Sequence, residues 1–290
     1  MTTIIENDQL RIAIKAHGAE LDSIYQKEHQ LEYLWSGDSA YWGKKSPVLF
    51  PIVGTLKNNS YTFKGGKYAL SRHGFARDRA FELENQTADS AVFLLKSDAE
   101  SFKNYPFHFE FRLHYALKIN ELCVTYDVKN MGNEPMYFSV GGHPAFQVPL
   151  VEGTTYEDYF IQLNETETFG RYLLSKEGLI ETIPNAFLNN SNNIPLKYAL
   201  FYEDAIVLKH IKSNSMAILS DKTLHGLRMI FEGFPYFGIW AAKNAPFVCL
   251  EPWCGIADMV NTTQELTEKE GINKLEKGEK FEKTWRLEIF

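Results

Sequence analysis

Between Phe107 and Ile119 the chain alternates without a break. Phe107, Phe109, Phe111, Leu113, Tyr115, Leu117 and Ile119 fall on one parity, and His108, Glu110, Arg112, His114, Ala116 and Lys118 on the other. A period of two sustained this long describes a strand with one buried face and excludes an amphipathic helix. After Asn120-Glu121 the pattern resumes, with Leu122, Val124, Tyr126 and Val128 set against Cys123, Thr125, Asp127 and Lys129. The pair reads as a long antiparallel hairpin. His108 and His114 lie on its polar face and are expected to be ordinary surface residues, because one face of such a sheet is commonly solvated.

Shorter strand signals surround it: Leu10–Ile14, Glu20–Tyr25 and Leu31–Trp35 near the start, Ala80–Glu84, and then Ala205–Leu208, Met216–Leu219, Leu227–Phe231, Phe237–Trp240 and Thr284–Phe290. Tyr61–Leu70 predicts a hairpin around Gly65-Gly66. Pro47 and Pro51 argue against a regular central strand over 47–54 and for a buried, irregular lining segment. The chain from Phe146 through Asn189–Asn193 reads as loop-rich. A single short helix is expected, from Asn261-Thr262-Thr263 to about Glu270. Aromatic residues are 14% of the chain, which favours strands. With no repeat and no linker-like break, 290 residues read as one all-β domain (1–290), a large antiparallel β-sandwich with very little helix.

The net charge of −7 argues against nucleic acid as the main partner, though a local basic pocket is compatible with it. No apolar run is long enough to span a bilayer. The N-terminus lacks the basic start and apolar stretch of a signal peptide, so a cytoplasmic location is expected and no membrane partner. Cys123, Cys249 and Cys254 suggest neither a disulfide framework nor a zinc site, and read as buried reduced thiols.

Three segments set an ionisable side chain against glycine or proline: Arg72-His73-Gly74, Gly142-His143-Pro144 and Leu250-Glu251-Pro252. Gly141-Gly142 stops a strand-like run and Pro144 holds His143 extended, which presents the imidazole at a strand mouth. Glu251 follows the apolar run Phe247–Leu250, at the edge of the core. Partial burial there would raise its pKa and make it a usable base. Two histidines and a carboxylate suit general acid–base work, and would also suit a metal. Walker-type loops, Gly-x-Ser-x-Gly and His-Glu-x-x-His are absent from the sequence.

Taken in order, the segments around His73, His143 and Glu251 resemble the three signature segments of the aldose 1-epimerase (galactose mutarotase) family. Pro51–Gly54 and His73–Asp78 look most like its LacX branch. The resemblance implies a β-supersandwich with an open cleft and cofactor-free, metal-free interconversion of hexose anomers. By the same resemblance, His143 is the general acid at the ring oxygen and Glu251 the base at the anomeric hydroxyl. His73 would bind and polarise the sugar, and Asp204 would hydrogen-bond its hydroxyls. The sugar-contacting arginine of galactose mutarotases is replaced here by Thr55, with Lys57, Arg72 or Arg77 as candidate substitutes. Arg77 also resembles a phosphate-holding arginine of hexose-6-phosphate mutarotases, and equally suits an ion pair with Asp78 or Glu82. Trp253 or Phe146 could face the sugar or pack in the core. The expected partner is a small sugar. The rival readings are a 6-phosphate mutarotase and a non-catalytic sugar-binding protein; oligomeric state is left open.

Overall fold

In the computed structural model, which describes residues 1–290, the alternating hairpin lies inside the larger of two stacked sheets. Phe109–Lys118 and Glu121–Asn130 pair antiparallel along their whole length. They belong to a nine-stranded sheet in the order 185–195, 159–171, 215–220, 223–230, 280–289, 121–130, 109–118, 90–96, 82–86. Phe109, Phe111, Leu113, Tyr115 and Leu117 are all buried on its inner face. Ile119, expected on that face, is instead 72% exposed. It occupies the turn at φ +56, a conformation awkward for a β-branched residue, which lifts it off the strand. On the outer face His108 is exposed, and His114 lies 3.3 Å from Asp127, which Lys280 also contacts at 3.0 Å.

The second layer is a sheet in the order 206–209, 236–240, 247–254, 140–142, 48–49, with 145–147 pairing beside 140–142 on the same 247–254 strand. Aromatic rings fill the space between the layers. Phe50 lies 4.6 Å from Phe111 and 5.0 Å from Phe109, and Phe237 lies 4.3 Å from Phe231. Each such pair adds about 0.5–1.5 kcal/mol beyond the area it buries. A four-stranded sheet over 2–32 closes one side, where Tyr115 donates its hydroxyl proton to the Ala19 carbonyl at 2.6 Å. The all-β antiparallel architecture is therefore the one the alternation predicted. The segment 47–54 contributes only the two-residue strand Val48–Leu49 and is buried throughout.

Three local expectations are corrected. The 261–270 helix is absent: only Leu266–Glu268 forms a 3-10 turn. Gln264 sits at φ +65, and its amide donates to the carbonyls of Lys57 and Ser60. The Thr262 and Thr263 hydroxyls accept from the next-but-one backbone N–H groups, an alternative to helix bonding. The asparagine-rich stretch is not loop but strand, Asn185–Pro195, paired with Tyr159–Arg171 through several register shifts. It forms a sheet edge, where polar side chains are tolerated and tertiary pairing overrides propensity. The 61–70 hairpin turns at Lys64-Gly65, both at positive φ, so Gly66 pairs with Phe63. The one α-helix, Ser101–Asn104, is a single turn. No helix is long and apolar enough to cross a membrane.

Candidate active site

The strand Phe247–Cys254 runs past the point where the sequence placed the edge of the core. Glu251 therefore lies within it and is 2% exposed. Alternate side chains face opposite ways. Val248, Leu250 and Cys254 join the main core on one face; on the other, Phe247 and Cys249 are core as well, and Glu251 and Trp253 face a cleft. On one flank this strand has two short partners: 145–147 pairs with 247–249, and 140–141 pairs with 253–254. The gap between them falls opposite Glu251 and Pro252. Pro252, which lacks a backbone donor, sits where that flank offers no ladder. His143 and Pro144 occupy the gap, and the imidazole reaches Glu251: Nε2 lies 3.4 Å from Oε2.

Gly141 and Gly142 are needed for room rather than for unusual dihedrals, since neither has positive φ. A Cβ on Gly141 would meet the Trp253 ring at 2.7 Å, and one on Gly142 the Tyr126 hydroxyl at 2.5 Å. The His143 ring is held by Trp42, stacked at 4.9 Å, and by the edge of Trp240 at 5.4 Å. Burial, reinforced by the Arg72 and Arg77 charges, lowers the His143 pKa to about 3. Burial also pushes Glu251 well above the ordinary carboxylate range; the Arg72 charge opposes this and Asp204 adds to it. The Trp253 indole lies beside the carboxylate and favours its ionised form, without completing a hydrogen bond of standard geometry. Both shifts favour the uncharged forms, a neutral imidazole and a protonated carboxyl.

His73 is the third member. Its backbone N–H donates to the Gly54 carbonyl at 2.9 Å, and its Nδ1 accepts from the Gly54 N–H at 3.1 Å. This clasp puts the ring proton on Nε2 and holds the residue at φ +70, a conformation costly for a non-glycine residue. Its ring lies 5.7 Å from that of His143, and burial pushes its pKa well down. Asp204, at φ +72, also lines the cleft, with Oδ2 3.8 Å from Arg72.

Arg77 lines the cleft too. It donates to the Arg72 carbonyl at 2.9 Å and approaches Asp78 at 3.6 Å, while its buried Nε has no hydrogen-bond partner. Of the candidate substitutes for the arginine replaced by Thr55, Arg72 and Arg77 reach the cleft. Lys57 is turned away, donating to the Val260 carbonyl at 2.7 Å. Phe146 is fully buried in the core, whereas Trp253 does line the cleft. All three cysteines are buried and free.

The cleft encloses about 480 Å³, within the range of about 300–1,000 Å³ usual for small-molecule sites. Sequence reading missed Trp42, Trp240 and the rim formed by Leu174, Gly178 and Ile180. Trp42 lies between Gly37 and Gly43, outside any strand signal, and an aromatic ring just before a glycine was the one available signal. The rim is anchored through Ile180, whose N–H donates to the Asp258 carbonyl. Asp258 in turn pairs with Lys269 at 2.9 Å, both buried. Lys269 also donates to the Ile256 carbonyl, and the second Asp258 oxygen accepts from the Lys57 N–H.

A family model described as aldose 1-epimerase matches residues 1–288. The chain is 36% identical over 284 residues to a plasmid-encoded protein LacX of Lactococcus lactis subsp. lactis, covering 95% of each chain. Among solved structures it resembles a galactose mutarotase related enzyme from Lactobacillus acidophilus, at 37% identity and TM-score 0.95, over 100% of this chain and 97% of the other. It also resembles a galactose mutarotase-like protein from Lactobacillus casei ATCC 334, at 27% identity and TM-score 0.93, over 100% of both chains.

Proposed function

The chain belongs to the aldose 1-epimerase family of isomerases, and we propose that it interconverts the α and β anomers of a free hexose such as galactose or glucose. One observation carries the reading: His143 and Glu251 meet at 3.4 Å inside the cleft. The two oxygens that exchange protons in anomerisation, the C1 hydroxyl and the ring oxygen, are bonded to the same carbon. An acid and a base in mutual contact therefore suit them better than groups on opposite sides of the ring.

On binding the cyclic sugar, the pair's proton passes to His143, a shift that Arg72 favours by stabilising the Glu251 carboxylate. Glu251 takes the C1 hydroxyl proton as His143 protonates the ring oxygen, and the C1–O5 bond breaks. The open aldehyde then faces a protonated carboxyl and a neutral imidazole, the uncharged forms that burial favours. Rotation about C1–C2 and reversal of both transfers close the other anomer. The pair ends with the proton it began with, and positioned proton transfer of this kind contributes about 10²–10⁴-fold. The clasped Nε2–H of His73 is a fixed donor for a sugar oxygen, and Asp204 is an acceptor for hydroxyls.

Arg72 and Arg77 favour a second reading, a hexose 6-phosphate as substrate, because guanidinium groups match phosphate oxygens and the buried Arg77 Nε lacks a partner. Anomer exchange followed by NMR on glucose, galactose and their 6-phosphates separates the two. Free hexoses are expected to exchange faster with wild type than with His143→Ala or Glu251→Ala. Exclusive turnover of the 6-phosphates would establish the second reading. Sugar binding with no acceleration by wild type would make the chain a binding protein.

A further inference from the structure

We propose that His143, Cys249 and Glu251 form a three-donor site for a thiophilic divalent cation of the zinc class, and that the bound ion blocks the cleft by occupying its acid–base pair. Cys249 and Glu251 are two apart on the 247–254 strand, so both side chains project from the same face. The Cys249 sulfur, a Glu251 oxygen and a His143 ring nitrogen all lie within 4.8 Å of one another.

A tetrahedral zinc ion, with bonds of about 2.0–2.3 Å, holds its ligand atoms about 3.5 Å apart. The His143–Glu251 pair already stands at 3.4 Å, so only the thiol needs to close, by about an ångström. Imidazole, thiolate and carboxylate are the donors that zinc accepts, and they discriminate against magnesium and calcium, which take oxygen. His143 and Glu251 line the cleft, so water or a sugar hydroxyl can approach an ion held between them, while Cys249 would reach it from the buried core. Coordination expels the thiol proton, and the carboxyl proton where present, to solvent; no electron is transferred. The site stands on these three donors whichever sugar the protein takes.

The full-length protein titrated with Co²⁺ tests this without reference to turnover. Wild type is expected to bind one equivalent, with the near-ultraviolet absorption of a thiolate–cobalt bond, and Zn²⁺ should displace it. Cys249→Ser should lose that absorption and bind Zn²⁺ on the order of tenfold or more weakly, whereas Cys123→Ser should behave as wild type. Circular dichroism checks that each variant is folded. If Cys249→Ser fails to fold, Cys249→Ala serves in its place. Anomerisation by wild type, where turnover is seen, should fall on adding Zn²⁺ and return with chelator. Absence of a thiolate–cobalt band in folded wild type, or its persistence without Cys249, overturns the proposal.

Discussion

Two buried acid–base pairs lie close together in this chain, and they are built to opposite ends. Lys269 and Asp258 meet at 2.9 Å, with backbone partners on both sides: the ammonium also donates to the Ile256 carbonyl, and the carboxylate also accepts from the Lys57 N–H. His143 and Glu251 meet at 3.4 Å, but His143 Nδ1 and the neighbouring Trp253 Nε1 have no partner of standard geometry. The first pair offsets its desolvation with hydrogen bonds and fastens the cleft wall. The second leaves donors and acceptors uncommitted, and burial favours the uncharged form of each member. Satisfaction makes an ion pair structural, and incomplete satisfaction leaves its proton available for transfer.

The largest effect that would break this contrast is on rate. His143→Ala and Glu251→Ala are each expected to slow anomer exchange by about 10³-fold. Because the two act as a unit, the double variant should be little slower than either single one. Additive losses in polarimetry would mean that the pair does not share its task.

Next comes the structural pair. Lys269→Met leaves Asp258 buried and unpaired, which costs about 3–5 kcal/mol. A melting scan should show the loss, while turnover well below the transition persists. Collapse of turnover with unchanged melting would reverse the two roles.

A smaller effect, opposite in sign, is expected for Glu251→Gln. The folded pKa of Glu251 is raised, so the native state binds its proton more tightly than the unfolded chain does. Stability is therefore lost as pH rises above the ordinary carboxylate range. The glutamine variant should match wild type near pH 4 and melt higher at neutral pH, at about 2–4 °C per kcal/mol. A gain confined to acid pH would contradict the raised pKa.

The smallest expected effect is a near absence of one. His143 accepts a second proton only at about 3, so kcat/KM should change less than about twofold between pH 4 and 6.5. An acid limb centred near the ordinary histidine value would show that the imidazole is less enclosed than its tryptophan neighbours make it.

The central hairpin was legible because Phe109 to Leu117 obey a two-residue period, which a strand produces and a helix does not. Glycine and proline around His73, His143 and Glu251 marked the residues that line the cleft. Their arrangement was not legible, since it depends on a gap between two short strands that pair with one long strand from residues about a hundred positions away. The asparagine strand was hidden because its pairing comes from Tyr159–Arg171 rather than from its own propensity. The helix expected at 261–270 failed because Gln264 reaches the 57–60 carbonyls, contacts that no local window contains.

The hydroxyl of Tyr126 that a side chain at 142 would strike is also the acceptor for the Trp285 indole. A methyl group there would push on the central sheet before it reached the imidazole next door. Libraries that mutate residue 142 should therefore lose clones to insolubility rather than to inactivity, and a screen for function alone would mistake a folding constraint for a chemical one.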